Sequence, residues 1–245
     1  MNNLIKNYIL WPIIALLITA VIYLVLVVNT HKLLNIFPYG EKLLWQHFVS
    51  KNIEEIDHFK RHNLQAIIDQ LPANLLPKKY PKITLIISND NEINAFAAPE
   101  GRIILTSGLL NATENEDALL FAIGHEIGHL TRGDHLYELS RMIVTKTYNI
   151  VTWSSLFTEL MMTIDSNKIK KAEFLADQHA LKIIHNHYGN IKGMTDLLQI
   201  LKFKNKLNNY GETSLTHPNI NQRLEKLNFF IKKTCYMLYV TCFML

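Results

Sequence analysis

His125-Glu126-Ile127-Gly128-His129 sets two imidazoles four residues apart, with a carboxylate next to the first. On a helix, positions four apart share one face. Two neutral rings placed so can bind one zinc ion. Glu126 points beside such an ion rather than at it, where it can take a proton from a bound water. The flanking residues are apolar and small. Two imidazoles and a carboxylate in that setting are expensive to bury without partners, which favours a built site over an accident of composition.

Two histidines leave a catalytic zinc site incomplete, because such a site takes three protein ligands and keeps a position for water. Glu173-Phe174-Leu175-Ala176-Asp177 offers the third. Glu173 and Asp177 are four apart on a helical stretch, hence on one face. Alone, the pair reads as a solvated acidic face opposite Lys170 and Lys171. Beside the first motif it reads as Glu173 ligating the metal and Asp177 accepting the free ring N–H of a ligating histidine. A third stretch, Thr216-His217-Pro218-Asn219 with Arg223 beyond it, has two readings. It is either a surface loop leading into a helix, or a source of groups that stabilise an oxyanion or gate the metal, with Arg223 doing the first job or orienting His217.

These residues need elements to hold them. Thr113 and Glu116 have capping-box spacing, and the helix they open should run through ALLFAIGHEIGHL and stop near Gly133. A second helix should begin near Asp165 or Ser166 and end before Gly189, with further helices over 191–207 and 219–233. Upstream, residues 41–70 carry apolar positions at helical spacing, and Pro72, Pro77 and Pro81 end that pattern. KITLIIS, EINAFAA and RIILT, separated by turn-forming residues, predict three short strands in a small, mostly antiparallel sheet.

Tyr8 to Val28 is an uncharged apolar run of 21 residues, enough to span a hydrocarbon core of about 30 Å as a helix. No small-residue cleavage pattern follows it, so it reads as a retained anchor. Positive charge is nearly balanced across it and does not set its orientation. Residues 142–164 are apolar but carry Lys146 and Glu159, which disfavours a second span. The tail TCYMLYVTCFML is too short to cross a membrane as a helix.

Composition removes several classes. The 245 residues are 49% hydrophobic and 19% charged, which excludes disorder as the main description and suggests one core. The net charge is +4, with Lys and Arg scattered, so nucleic-acid binding has no electrostatic footprint. Cys235 and Cys242 are the two cysteines, too few for a disulfide framework or a thiolate zinc cage.

HEIGH, EFLAD and THPNINQR, in that order, with NAFA and GRIILTSGLL ahead of them, resemble the zinc metallopeptidase family of the CAAX prenyl proteases and HtpX-like proteases. The resemblance spans about 94–223. It implies an α+β fold: a mostly helical, zincin-like metallopeptidase domain with a small antiparallel sheet, preceded by one transmembrane helix. The corresponding division is an anchor over 1–30, a peptidase domain over 31–233 and an apolar tail over 234–245. It implies His125, His129 and Glu173 as ligands of one zinc per chain, and Glu126 as general base. It further implies site roles for Asp177, His217 and Arg223, and Asn94, Ala95, Phe96 and Ala97 as a strand that pairs with extended polypeptide substrates. With one clear span, the layout is closest to single-anchor or periplasmic bacterial members that cleave misfolded envelope proteins, with the catalytic domain facing outward. The alternative is a tethered chaperone or assembly factor on a protease-like scaffold.

Overall fold

The computed structural model describes residues 10–46 in part and the backbone of 53–113, 115–137, 166–207 and 220–238. The apolar run at 8–28 lies about half outside these residues, and 142–164 and 239–245 lie wholly outside. No helix among the described residues is long and apolar enough to cross a membrane. The elements in chain order are α1 (Pro38–Leu44), α2 (Phe59–Asp69), β1 (Thr84–Ser88), β2 (Ala95–Ala98), β3 (Arg102–Thr106), α3 (Ser107–Ala112), α4 (Glu116–Arg132), α5 (Ser166–Tyr188), α6 (Lys192–Leu207) and α7 (Ile220–Leu238).

The strands lie where the β-rich runs predict them, but the sheet is mixed rather than mostly antiparallel. Its order is β1-β3-β2. β3 pairs parallel with β1, Ile86 opposite Ile104, and antiparallel with β2, Phe96 opposite Ile104. The reason is burial. Ile103, Ile104 and Leu105 are all fully buried, so β3 needs cover on both faces and a neighbour on both edges. The outer edge of β1 is closed by residues 54–56: Asn89 N–H donates to the Glu54 carbonyl at 2.7 Å and Ile56 N–H to the Ile87 carbonyl at 2.9 Å. Among the described residues the open edge is that of β2.

That closure explains why the helical spacing over 41–70 does not make one helix. Ile56 is spent on the sheet edge, and Ile53 packs with Trp45 and Phe96 over Ile86, Ala98 and Ile104 on the outer face. A new helix, α2, starts only after His58, whose side chain accepts from Lys60 N–H. The main core lies on the other face of the sheet, between it and α2, α4, α5 and α6.

α4 is capped two residues after the cap that the expected box would give. Asn115 is the cap, accepting from Asp117 N–H at 3.1 Å, while Thr113 accepts from Asn115 N–H. Gly133 ends it in the left-handed conformation (φ 72°), donating to the carbonyls of His129 and Leu130, a stop that suits glycine. α4 and α5 cross on small residues. A Cβ on Gly128 would lie 2.9 Å from the Ala176 Cα, and one on Gly124 2.9 Å from the Ala180 Cα. The obstructing atoms are backbone and cannot rotate away. This close crossing carries the α5 acids to the α4 histidines. Gly128→Ala is therefore expected to destabilise the chain by about 1–3 kcal/mol and to weaken metal binding as Glu173 recedes. Thermal unfolding and zinc titration of the variant check this; wild-type values for both would mean that the crossing tolerates a wider spacing.

Candidate metal centre and its cleft

The fully buried face of α4 presents His125 and His129 one turn apart, and α5 brings Glu173 against them. Nε2 of His125 lies 3.0 Å from Nε2 of His129. The Glu173 oxygens lie 3.5 Å from the first and 3.3 Å from the second. The three ligand atoms fall within 4.8 Å of one another. A tetrahedral site with zinc–nitrogen bonds of about 2.0–2.1 Å has edges of about 3.3 Å, so these separations match a cage for one ion.

The outer ring nitrogens decide what the inner ones carry. His125 Nδ1 lies 2.8 Å from Asp177 Oδ1, and His129 Nδ1 lies 3.1 Å from Asp134 Oδ2. A carboxylate there calls for an N–H at each Nδ1. In the neutral rings both Nε2 atoms then hold lone pairs, directed at each other and at a carboxylate. With both rings neutral, three lone-pair donors converge there, a set that suits a cation. The field agrees. Burial works against a charge on His129, but its bonds to Asp134 and Glu173 and the charges of Glu173 and Glu126 outweigh that and push its pKa up to about 10. An imidazole in this place attracts positive charge, and a dication uses the same field.

Asp177 is completely buried. Burial raises its pKa, yet the charge of Arg223 and the bond to His125 hold it below the usual carboxylate range. Arg223 reaches back from α7 with Nε 2.8 Å from Asp177 Oδ2 and Nη2 2.6 Å from Oδ1, a two-point clamp on a carboxylate. Its Nη1 lies 3.1 Å from Glu173 Oε2. Arg223 thus sits behind the ligand set and holds both acids. His217 lies outside the described residues, so no position is assigned to it or to a contact with Arg223.

Glu126 is buried beside the ligands and accepts the Ala97 N–H at 2.8 Å. The N–H of Ala97 therefore faces away from β3, toward the metal helix. Asn94 is fixed by Thr106, whose Oγ1 accepts its N–H at 3.0 Å, and its own side chain accepts the Ala95 N–H. Phe96 turns to the outer face instead, against the Trp45 cluster. A small cleft opens here, walled by Ala95, Leu109, Ala122, Leu197 and Leu201 and floored by His125 and Glu126. Apolar walls limit water and strengthen the electrostatics inside.

Sequence reasoning missed Asp134. It follows the helix stop, and the left-handed turn at Gly133 folds it back onto His129. Arg132 secures it, with Nε 2.8 Å from the same oxygen and Nη2 donating to the Ala172 carbonyl at 3.1 Å. An acid one residue past a helix-ending glycine was the available signal. Also missed was the cluster around Glu41, whose partners Lys79, Tyr80 and Glu100 lie far from it in the chain.

Residues 59–230 match peptidase family M48. Over 182 residues, 66% of this chain, the sequence is 26% identical to the beta-barrel assembly-enhancing protease of Yersinia pestis. Over 82 residues, 34% of the chain, it is 24% identical to the mitochondrial metalloendopeptidase OMA1 of Arabidopsis thaliana. The matches span 37% and 17% of those relatives' own lengths. Since the family match covers well over half of the sequence and includes both α4 and α5, the chain belongs to peptidase family M48.

Proposed function

We propose that this chain is a zinc-dependent endopeptidase, with His125, His129 and Glu173 holding the ion and Glu126 as general base. The observation that carries the reading is the convergence of two imidazole nitrogens and a carboxylate oxygen at tetrahedral spacing, with Glu126 beside them. Zinc supplies Lewis acidity and a bound water whose pKa falls to about 7. The chain's own residues do the rest. Asp177 and Asp134 keep the two imidazoles oriented, with their Nε2 lone pairs inward. Glu126 takes the proton of the attacking water on its carboxylate and returns it to the leaving amine. Both positions are reachable because it stands beside the ligands rather than among them.

An extended polypeptide adds to the open edge of β2, where Ala97 N–H and the neighbouring backbone at Asn94 to Phe96 can pair with it. In the free chain Glu126 holds that N–H, so substrate pairing and release of the carboxylate for proton transfer go together. His217 or Arg223 helps to hold the oxyanion of the tetrahedral intermediate, Arg223 from its place on Asp177 and Glu173.

The substrates are misfolded or membrane and envelope proteins, and the domain is tethered outward by a helix over 8–28. Trp11, Leu17 and Val21, at described positions of that run, are each at least 60% exposed, so they are not packed on the domain and suit a lipid environment. The domain runs over 31–233, with 234–245 as a tail whose first part continues α7.

The test is metal analysis and turnover on the full chain in detergent. The expected result is one zinc per chain, lost in Glu173→Ala, and chelator-sensitive cleavage of an unstructured polypeptide. A folded chain that takes up no zinc overturns the proposal; zinc without cleavage points to a binding or chaperone role on the same scaffold.

A further inference from the structure

Glu41 is 2% exposed, in a helix that precedes the whole peptidase match. A carboxylate so placed loses several kcal/mol of hydration unless donors replace it. Three do: Lys79 Nζ, Tyr80 OH at 2.6 Å and the backbone N–H of Glu100 at 3.1 Å. The set is specific in where it reaches. Glu100 forms the turn that leaves β2. Tyr80 OH also lies 3.3 Å from Nε2 of His135, just past the end of α4. Since the hydroxyl proton goes to Glu41, the imidazole donates to the Tyr80 oxygen. One carboxylate thus touches the exit of the open strand directly and the end of the metal helix through one intermediary.

The turn itself is held under strain. Glu100 has φ 61° and ψ 30°, a left-handed conformation that a non-glycine residue adopts only when its surroundings impose it. Glu41 fixes its N–H, and Arg102 pairs with its carboxylate. The Arg102 guanidinium lies 4.3 Å from the ring centroid of Trp45. Gly101 leaves no slack, because a Cβ there would stand 2.8 Å from the Tyr80 Cβ. Residues 41 and 45 therefore grip the two sides of one strained turn. β2 is four residues long and has one sheet neighbour among the described residues, so this turn sets where its outward N–H groups, held by Glu126 and the Asn94 side chain, point.

We infer that Glu41 is a positioning residue for substrate binding: through the Glu100 N–H it fixes the turn that aims the open edge of β2 across the metal cleft. The inference rests on the peptidase reading of that cleft. It also makes the segment just after the apolar run part of the enzyme's working parts rather than a spacer.

The test compares Glu41→Ala, Glu41→Gln and Tyr80→Phe in the full chain. Glu41→Ala is expected to raise KM for an extended peptide about tenfold with kcat within twofold, short of the hundredfold that a misplacement of about 1 Å can bring. Zinc content stays at the wild-type value. Glu41→Gln keeps an acceptor for the Glu100 N–H and recovers most of the KM. Tyr80→Phe removes a buried hydroxyl but leaves that bond, so it lowers Tm while leaving KM near wild type. If KM moves in proportion to Tm in all three variants, or does not move in Glu41→Ala, the inference is overturned. Amide hydrogen exchange reads the same point without turnover: exchange at Glu100 and Gly101 should quicken at least tenfold in Glu41→Ala, and unchanged exchange refutes the inference. Should Glu41→Ala fail to fold, Glu41→Gln against Tyr80→Phe carries both measurements. A wild-type chain that cleaves nothing defeats the peptidase reading, and the exchange result still decides whether Glu41 holds the turn.

Discussion

Glu126→Gln is expected to keep one zinc per chain and to lose about a thousandfold or more in peptide cleavage, within the range assigned to a positioned general base. The amide has the shape of the carboxylate, and its oxygen can still accept the Ala97 N–H that Glu126 accepts at 2.8 Å. The packing of α4 on β2 is then preserved. The three ligand atoms belong to other residues, so metal affinity should not follow activity down. What disappears is a group able to hold a proton between attack and departure of the amine. Alanine would be a poorer probe, because it leaves the Ala97 N–H facing an apolar cleft. Single-turnover rates with metal analysis on the same preparation decide the matter. Cleavage within tenfold of wild type would remove Glu126 from proton transfer. Joint loss of zinc and cleavage would place it among the ligands.

Much of this site is readable in the chain because helical periodicity is local. HEIGH and EFLAD each show four-residue spacing, so the faces carrying His125, His129, Glu173 and Asp177 follow from sequence. Their meeting does not. It depends on Gly124 and Gly128 lying against Ala180 and Ala176, a contact between segments some fifty residues apart. Strand positions were likewise local, and strand order was not. Turn-like residues on either side of EINAFAA suggest consecutive hairpins, yet β3 inserts between its predecessors. The clue is the continuous apolar IIL of β3, the pattern of a central strand covered on both faces. Asp134 and Glu41 lacked any periodic signal. One acts across a helix-ending turn and the other across 59 residues, to Glu100. Both are acids whose partners exist only after folding.

Asp177→Ala carries the other large expected effect, and it separates the metal site from the scaffold. The carboxylate has no solvent exposure and serves two partners: it orients His125 at 2.8 Å and clamps Arg223 through two bonds. Truncating it strands the buried guanidinium, which should lower stability by about 3–5 kcal/mol. Released from Asp177, Arg223 is left with Glu173, already 3.1 Å from its Nη1, and so competes with the metal for a ligand. His125 also loses the acceptor that fixes its tautomer. Zinc affinity should then fall about 10–100-fold. Denaturant unfolding of the chelated chain and competition titration with a zinc indicator give the two numbers independently. Asp177→Ala with Arg223→Met should regain most of the stability, since removing both charges of a buried pair is often close to neutral. It should not regain the affinity, because His125 still lacks its acceptor. Stability within about 1 kcal/mol of wild type in Asp177→Ala, or full zinc affinity in the double variant, would show that the acid neither neutralises the arginine nor orients the histidine.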